Sequence, residues 1–404
     1  MRFIERGITR RELLRGALGS AVAYAVPALW TRNAAAVDTA PVLVNIVLRG
    51  GVDGLSLVAP HGDSNYALLR PTIGLAPGAT YDLDGFFGLH PSLGALEPLY
   101  RDGSLAIVHA VGSTDPTRSH FKAQDYLETA APGQRNVTQG WMNRWLATES
   151  TVGRFAGVTI GPTRALSLQG AVETASFVSL DTSQAGDFLQ EPRRVALEEG
   201  FRAGADAQIE TAAQQMFAMS TDIAAISRTT TVVYPGPTFA SELRDAAALI
   251  KASIGVRAVA IDLAGWDHHT EANTRLPITA EDFSVALEAF HRDLGSHATR
   301  TLVLATTEFG RTAAENGGGG SDHGHGSVLF ALGGGVRGGR VHLRGGLWPG
   351  LAPADLHEGR DLAVTTDFRD VFAEVLRRHL GVADPGALLP GFVANPSNEL
   401  GLFA

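Results

Sequence analysis

The sequence contains no cysteine. Disulfides, thiolate metal ligands and a Cys nucleophile are therefore excluded, and any metal must be held by His, Asp, Glu or hydroxyl groups. Basic residues form no long patch beyond the amino terminus, and a formal net charge of −9 argues against binding to a phosphate backbone. Beyond Trp30 no apolar run approaches the roughly 18 residues that a membrane span requires. There are no internal repeats, and the one low-complexity tract is Gly317–Gly320. What is present is a 45% hydrophobic, 19% charged composition, the balance of a chain that buries a core. Its 47 glycines imply many tight turns and close backbone approaches.

The amino terminus reads as an export signal. Thr9-Arg10-Arg11-Glu12-Leu13-Leu14-Arg15 is a twin-arginine motif, an apolar stretch from Ala17 to Trp30 follows, and Ala34-Ala35-Ala36 is a small-residue cleavage site. These features predict export by the twin-arginine translocase, removal of residues 1–36, and a mature protein in the periplasm or outside the cell.

Apolar, β-branched runs at Val42–Leu48, Leu105–Val111, Phe155–Ile160, Ala165–Leu168, Val256–Leu263, Thr301–Ala305 and Val328–Leu332 predict strands. Helical spacing appears from Ser119 to Leu127, Ala196 to Ile226, Phe239 to Ile254, Ala280 to Leu294 and Asp367 to Leu380, with Asp367 as a cap. Strands alternating with helices predict an α/β fold with a mostly parallel sheet over a single domain, residues 37–404. The Pro- and Gly-rich part from Pro60 to Gly103 reads as a cap or an insertion.

Metal-type side chains follow several of these strands. Asp53 lies in a glycine turn after the first. Ser119, beside Arg118, opens a helix, where free N–H groups and the macrodipole favour an anion and a lowered hydroxyl pKa; the plainer role is an N-cap. Asp267, His268 and His269 follow Val256–Leu263, and Asp267 with His269 suits a single ion. Glu308 follows Thr301–Ala305, with Arg311 placed to fix it or to contact an anion. Asp322, His323 and His325 lie in a short loop that is able to wrap an ion. Together these residues predict a site for one or two divalent ions, Zn or Mn favoured over Ca, beside a Ser119 nucleophile.

The segments Leu48–Leu55, Asp115–Phe121, Gly265–His269, Glu308–Thr312 and Asp322–Gly326 resemble the bacterial family known as domain of unknown function 1501, over essentially the whole mature chain. That family is similar to the alkaline phosphatase and sulfatase superfamily. The resemblance implies an alkaline-phosphatase-like three-layer α/β sandwich. It also implies a metal-dependent hydrolase of small anionic phosphate or sulfate esters. The implied metal ligands are Asp53, Asp267, His269, Glu308, Asp322, His323 and His325, with Ser119 as nucleophile and Arg118 and Arg311 on the anion. The chain departs from the superfamily in having Asp-x-His for Asp-x-x-x-His and Glu308 where Asp-His is usual. Without cysteine it makes no cysteine-derived formylglycine, which favours phosphatase-type Ser chemistry. The alternatives are a non-catalytic envelope protein that keeps a metal site and binds a partner or glycan, and a structural domain whose polar residues cap helices and close turns.

Overall fold

The computed structural model describes residues 39–150, 152–180, 199–200, 214, 222–223, 226–236 and 238–403. The export signal and most of the helix expected from Ala196 to Ile226 lie outside them. Among the described residues no helix is long and apolar enough to cross a membrane.

The strands are β1 (Val42–Arg49), β2 (Val58–Ala59), β3 (Tyr81–Asp82), β4 (Gly88–Leu89), β5 (Leu105–Gly112), β6 (Gly157–Ile160), β7 (Ala175–Phe177), β8 (Ala258–Ala264), β9 (Thr301–Thr306), β10 (Ser327–Gly333), β11 (Val341–His342) and β12 (Thr366–Asp367). The main sheet runs β11-β5-β10-β9-β1-β8-β6-β7, with β12 also on β5. Its pairs are parallel except that β10 runs antiparallel to β5 and β9. The expected mostly parallel α/β sheet is therefore present.

The period of two in β1 sorts its side chains to opposite faces. Val42, Val44, Ile46 and Leu48 enter one core, under helices Thr238–Lys251 and Ala272–Leu294 through Leu243, Phe283 and Phe290. Leu43 and Val47 enter the other, under helices Trp141–Leu146 and Phe368–Arg378 through Trp141, Phe372 and Val375. Burial on both faces explains why these strands read as continuous apolar runs. Asp367 caps its helix as expected, accepting from Arg369 N.

Two sequence expectations change. Ala165–Leu168 is not a strand: Leu166–Leu168 is a single 3-10 turn, because the Ser167 N–H donates to the Glu128 carboxylate (3.0 Å) instead of a neighbouring strand. The helix expected from Ala280 begins earlier, at Ala272, with Pro277 inside it. The carbonyls of Gly318 and Gly319 accept from the N–H groups of Glu271 and Ala272 at its start, at 3.2 and 2.8 Å.

The region from Pro60 to Gly103 contributes to a small three-stranded sheet, β2-β4-β3. Two buried polar groups tie this region down. His109, in β5, donates from Nε2 to the Val58 carbonyl (3.0 Å), while its Nδ1 accepts from Ala110 N (2.8 Å). It stacks on Phe87, ring centroids 5.4 Å apart. Arg70 places one guanidinium nitrogen 2.9 Å from both Asp53 oxygens and donates to the carbonyls of Thr312 and Ala313.

Burial holds His109 down at about 4, against the small opposing pull of its Val58 bond. A proton on Nδ1 would also face the Ala110 N–H. As pH falls below the unfolded value of about 6.5, the unfolded chain gains a proton that the native ring refuses. Stability is therefore expected to fall from about pH 6.5 to pH 4, by up to roughly 3 kcal/mol from this group. Urea unfolding across that range should show the decline, and His109→Gln should make it shallower, the rest coming from His90, His268 and His325, which burial also lowers to about 4; an unchanged slope would remove His109 as a source.

Candidate metal centre

Because β10 is reversed, its amino end lies at the same sheet edge as the carboxyl ends of β1, β5, β8 and β9. That edge is where open α/β sheets place their ligands. The loops after β1, β8 and β9, the helix His120–Thr129 after β5 and the loop before β10 all meet there.

Two imidazoles turn Nε2 toward that of a third. His323 Nε2 lies 3.0 Å from His120 Nε2 and 3.0 Å from His269 Nε2. Asp267 joins them: its Oδ1 is 3.0 Å from His269 Nε2 and 3.3 Å from His323 Nε2, and its Oδ2 is 3.6 Å from His120 Nε2. His120, Asp267 and His323 form a group whose ligand atoms can all reach one ion.

Each ring is oriented from behind through Nδ1. His120 Nδ1 donates to Glu308 Oε1 (2.7 Å), His269 Nδ1 to Asp322 Oδ1 (3.2 Å), and His323 Nδ1 to the Arg118 carbonyl (2.9 Å). These acceptors place the proton on Nδ1 and leave Nε2 its lone pair. Facing lone pairs repel, and a cation between them would turn the repulsion into coordination. Tetrahedral ligands on bonds of about 2.0–2.1 Å lie roughly 3.3 Å apart, close to the spacings here. Phe309 forms the floor, 4.7 Å from the His120 ring and 5.0 Å from that of His323.

The electrostatics match. Burial alone would raise the pKa of Glu308, but hydrogen bonds from His120, Gln124 and the Gly50 N–H hold it below the usual carboxylate range. Burial would likewise raise Asp267, yet the Arg311 guanidinium and the neighbouring histidines pull it down. The bond to Glu308 raises His120, burial opposing. Burial lowers His323, and the charges of His120 and Arg311 add to that.

Of the residues taken from the sequence as ligands, Asp267, His269 and His323 face the centre. Glu308 and Asp322 stand one step behind as ring supports. Glu308 Oε1 is filled by His120, Gln124 (2.9 Å) and the Gly50 N–H (2.9 Å), and its Oε2 accepts from Thr307 Oγ1 (3.0 Å). Asp53 and His325 are not brought to the cluster. Asp53 is buried against Arg70 and also accepts from Ser56 N and Ser321 Oγ. His325 stacks on His357, ring centroids 4.5 Å apart, and burial lowers its pKa to about 4.

Both guanidinium groups are paired with carboxylates of the protein, Arg311 fully and Arg118 through Nε and one terminal nitrogen. Arg311 is 2% exposed; it donates to the carbonyls of Gly50, Gly51 (2.6 Å), Ser321 (3.0 Å) and Trp266 (3.3 Å) and to Asp267. Arg118 is paired with Asp361 and Glu358.

The sequence reading missed His120 and Gln124, although the signal was available. They are four apart at the start of one helix, hence on one face, directly after Ser119. The Gly-rich stretch is also packed, not loose. A Cβ on Gly320 would lie 2.5 Å from the His269 carbonyl, and one on Gly50, already at φ +127°, 2.6 Å from Asp267 N.

A family model described as protein of unknown function (DUF1501) matches residues 40–393, and the chain belongs to that family. None of the curated proteins matches it in sequence. Several solved structures are similar. The PsFucS1 sulfatase from Pseudoalteromonas sp. is 12% identical, with 96% of this chain and 77% of that one covered and a TM-score of 0.37. The C-terminal periplasmic domain of EcEptC from Escherichia coli is 9% identical, covering 93% and 90%, with a TM-score of 0.39. The alkaline phosphatase from the Antarctic bacterium TAB5 is 10% identical, covering 73% and 92%, with a TM-score of 0.31.

Two substitutions separate centre from scaffold. Asp53→Asn strands the buried Arg70 charge and is expected to cost about 3–5 kcal/mol in denaturant unfolding, with zinc affinity of the folded protein unchanged. Gly320→Ala displaces His269 and should weaken zinc binding roughly tenfold or more, read by chelator competition. Wild-type affinity in Gly320→Ala would remove His269 from the centre.

Proposed function

We propose that this family member is an exported, divalent-metal-dependent hydrolase of phosphate or sulfate esters with Ser119 as its nucleophile. The observation that carries the metal is the convergence of three Nε2 atoms on Asp267, each ring held by an acceptor on Nδ1. Three imidazoles and a carboxylate suit Zn or Mn better than Ca. His120, Asp267, His269 and His323 would hold the ion; Glu308, Asp322 and the Arg118 carbonyl keep the rings in the binding tautomer. Bound there, it would supply positive charge to the ester's oxygens and to the departing oxygen.

The observation that favours an anionic ester is the position of Ser119. It is the N-cap of the helix that carries His120, and its side chain makes no capping hydrogen bond. Its hydroxyl is thus not committed to the helix, whose amino end attracts negative charge. Ser119 Oγ would bond to phosphorus or sulfur as the ester's P–O or S–O bond breaks. Water would then cleave the Ser119 adduct, so that ester and water become alcohol and free phosphate or sulfate.

A second reading, a non-catalytic envelope protein that keeps the ion and binds a partner or glycan, is favoured by one fact. Arg118 and Arg311 are both spent on protein acceptors. Metal analysis of the purified protein, with assays on aryl phosphates, phosphodiesters and aryl sulfates, decides between them. Wild type is expected to carry stoichiometric metal and to turn over one of these classes. His120→Ala should lose the metal. Ser119→Ala should keep it and lose roughly a thousandfold or more in turnover. Metal-dependent turnover untouched by Ser119→Ala would remove the nucleophile, and bound metal without turnover would favour the second reading.

A further inference from the structure

The turn from His357 to Asp361 touches none of the converging Nε2 atoms, yet it reaches His323 from two sides. Asp361 is fully buried. Its Oδ2 accepts from Arg118 Nε (3.1 Å) and from an Arg118 terminal nitrogen (2.6 Å), while its Oδ1 lies 3.3 Å from Arg360. Both arginines act on His323. The Arg118 carbonyl accepts its Nδ1–H (2.9 Å), and Arg360 donates to its main-chain carbonyl (3.0 Å). One buried carboxylate thus anchors, through Oδ2, the residue whose carbonyl orients the ring, while its Oδ1 makes no hydrogen bond and only an ion-pair contact with Arg360.

The anchor is itself fixed. The Asp361 N–H donates to the His357 carbonyl (3.0 Å) and the His357 N–H to the Asp361 carbonyl (2.9 Å). The Arg360 carbonyl accepts from Ala313 N (3.0 Å) and that of Leu362 from Gly326 N (2.9 Å), on either side of the loop that carries His323.

We propose that Asp361 is a positioning residue for His323, setting its Nδ1–H tautomer through Arg118; this rests on the metal reading above. With the carboxylate charge gone, the Arg118 side chain keeps only its pairing with the exposed Glu358, and its main chain is held less firmly under the ring. His323 then loses its Nδ1 acceptor, and the proton is free to move to Nε2, where it blocks a ligand. A conserved-shape substitution should therefore weaken the ion's hold by about 10–100-fold, the effect typical of losing a ligand's supporting partner.

The test uses the full chain with Asp361→Asn, Arg118→Ala and the double variant. Zinc affinity is measured by chelator competition, and the His323 ring nitrogens of the metal-free protein by nitrogen NMR. Each single variant is expected to bind zinc about 10–100-fold more weakly, to shift His323 toward the Nε2–H form, and to match the double variant. A role confined to stability would lower the melting temperature and leave affinity and tautomer unmoved. If Asp361→Asn does not fold, Arg118→Ala, at the more exposed end of the pair, tests the same link. An unchanged His323 tautomer overturns the proposal whether or not zinc binds. Absence of zinc binding by wild type, with the tautomer shift present, overturns the metal reading instead.

Discussion

The centre depends on the burial of one guanidinium. Arg311 lies under the meeting point of the loops and donates to the carbonyls of Gly50, Gly51, Trp266 and Ser321. These belong to three segments that are far apart in the chain. The Gly50, Gly51 and Ser321 carbonyls have no backbone donor of their own, so each would be a buried acceptor in need of one, whereas that of Trp266 also accepts from His268 N (2.9 Å). A planar, permanently charged fork meets several such acceptors at fixed angles, which an ammonium does not. The charge is balanced by Asp267, itself a member of the centre. Scaffold and site therefore share an ion pair, and Asp267 stays ionised because of the group that holds the loops together.

This explains which parts of the site were legible. The strands and their order of helices follow from apolar runs, and Asp267, His269 and His323 are visible because strand ends with Asp and His are few. Glu308 and Asp322 were visible as residue types, but not as supports: whether a carboxylate touches an ion or the ring behind it depends on a few ångströms that spacing does not encode. Asp53 was misassigned for a related reason. Its partner, Arg70, lies in the Pro- and Gly-rich segment, where no periodicity announces a buried cation. Arg118 and Arg311 looked free because their acceptors are mostly main-chain carbonyls or a distant carboxylate, which leave no trace in composition. His120 was overshadowed by its neighbour Ser119, although its spacing to Gln124 was there to be read.

Glycine illustrates the same limit from the other side. Gly317–Gly320 read only as a low-complexity tract, whereas two of its carbonyls receive the N–H groups of Glu271 and Ala272 at the start of the helix Ala272–Leu294 and Gly320 packs against the His269 backbone. Here the missing side chain of Gly320 permits backbone-on-backbone contact with His268 and His269. His269 and Asp322 are tied together by Asn316, whose amide donates to the His269 carbonyl (2.9 Å) and to Asp322 Oδ1 (3.0 Å).

The arrangement is hard to account for as a structural polar network. A network built for stability pairs donors with acceptors and leaves no facing lone pairs. Here three Nδ1 protons are already committed to Glu308, Asp322 and the Arg118 carbonyl. Three Nε2 atoms and a carboxylate that is pulled toward its charged form then share a space with no fixed donor of its own except Arg311. A proton can relieve one contact at a time, and the Glu308 carboxylate behind His120 raises that ring's pKa. Protons cannot relieve all of them, since a second imidazolium would repel the first. A single divalent cation would satisfy His120, Asp267 and His323 at once, with His269 beside them. Competition between such a cation and the His120 proton would make binding weaken as pH falls. Local frustration of this kind, held in place by a rigid and well-satisfied surround, marks a site kept for chemistry or recognition rather than for the fold.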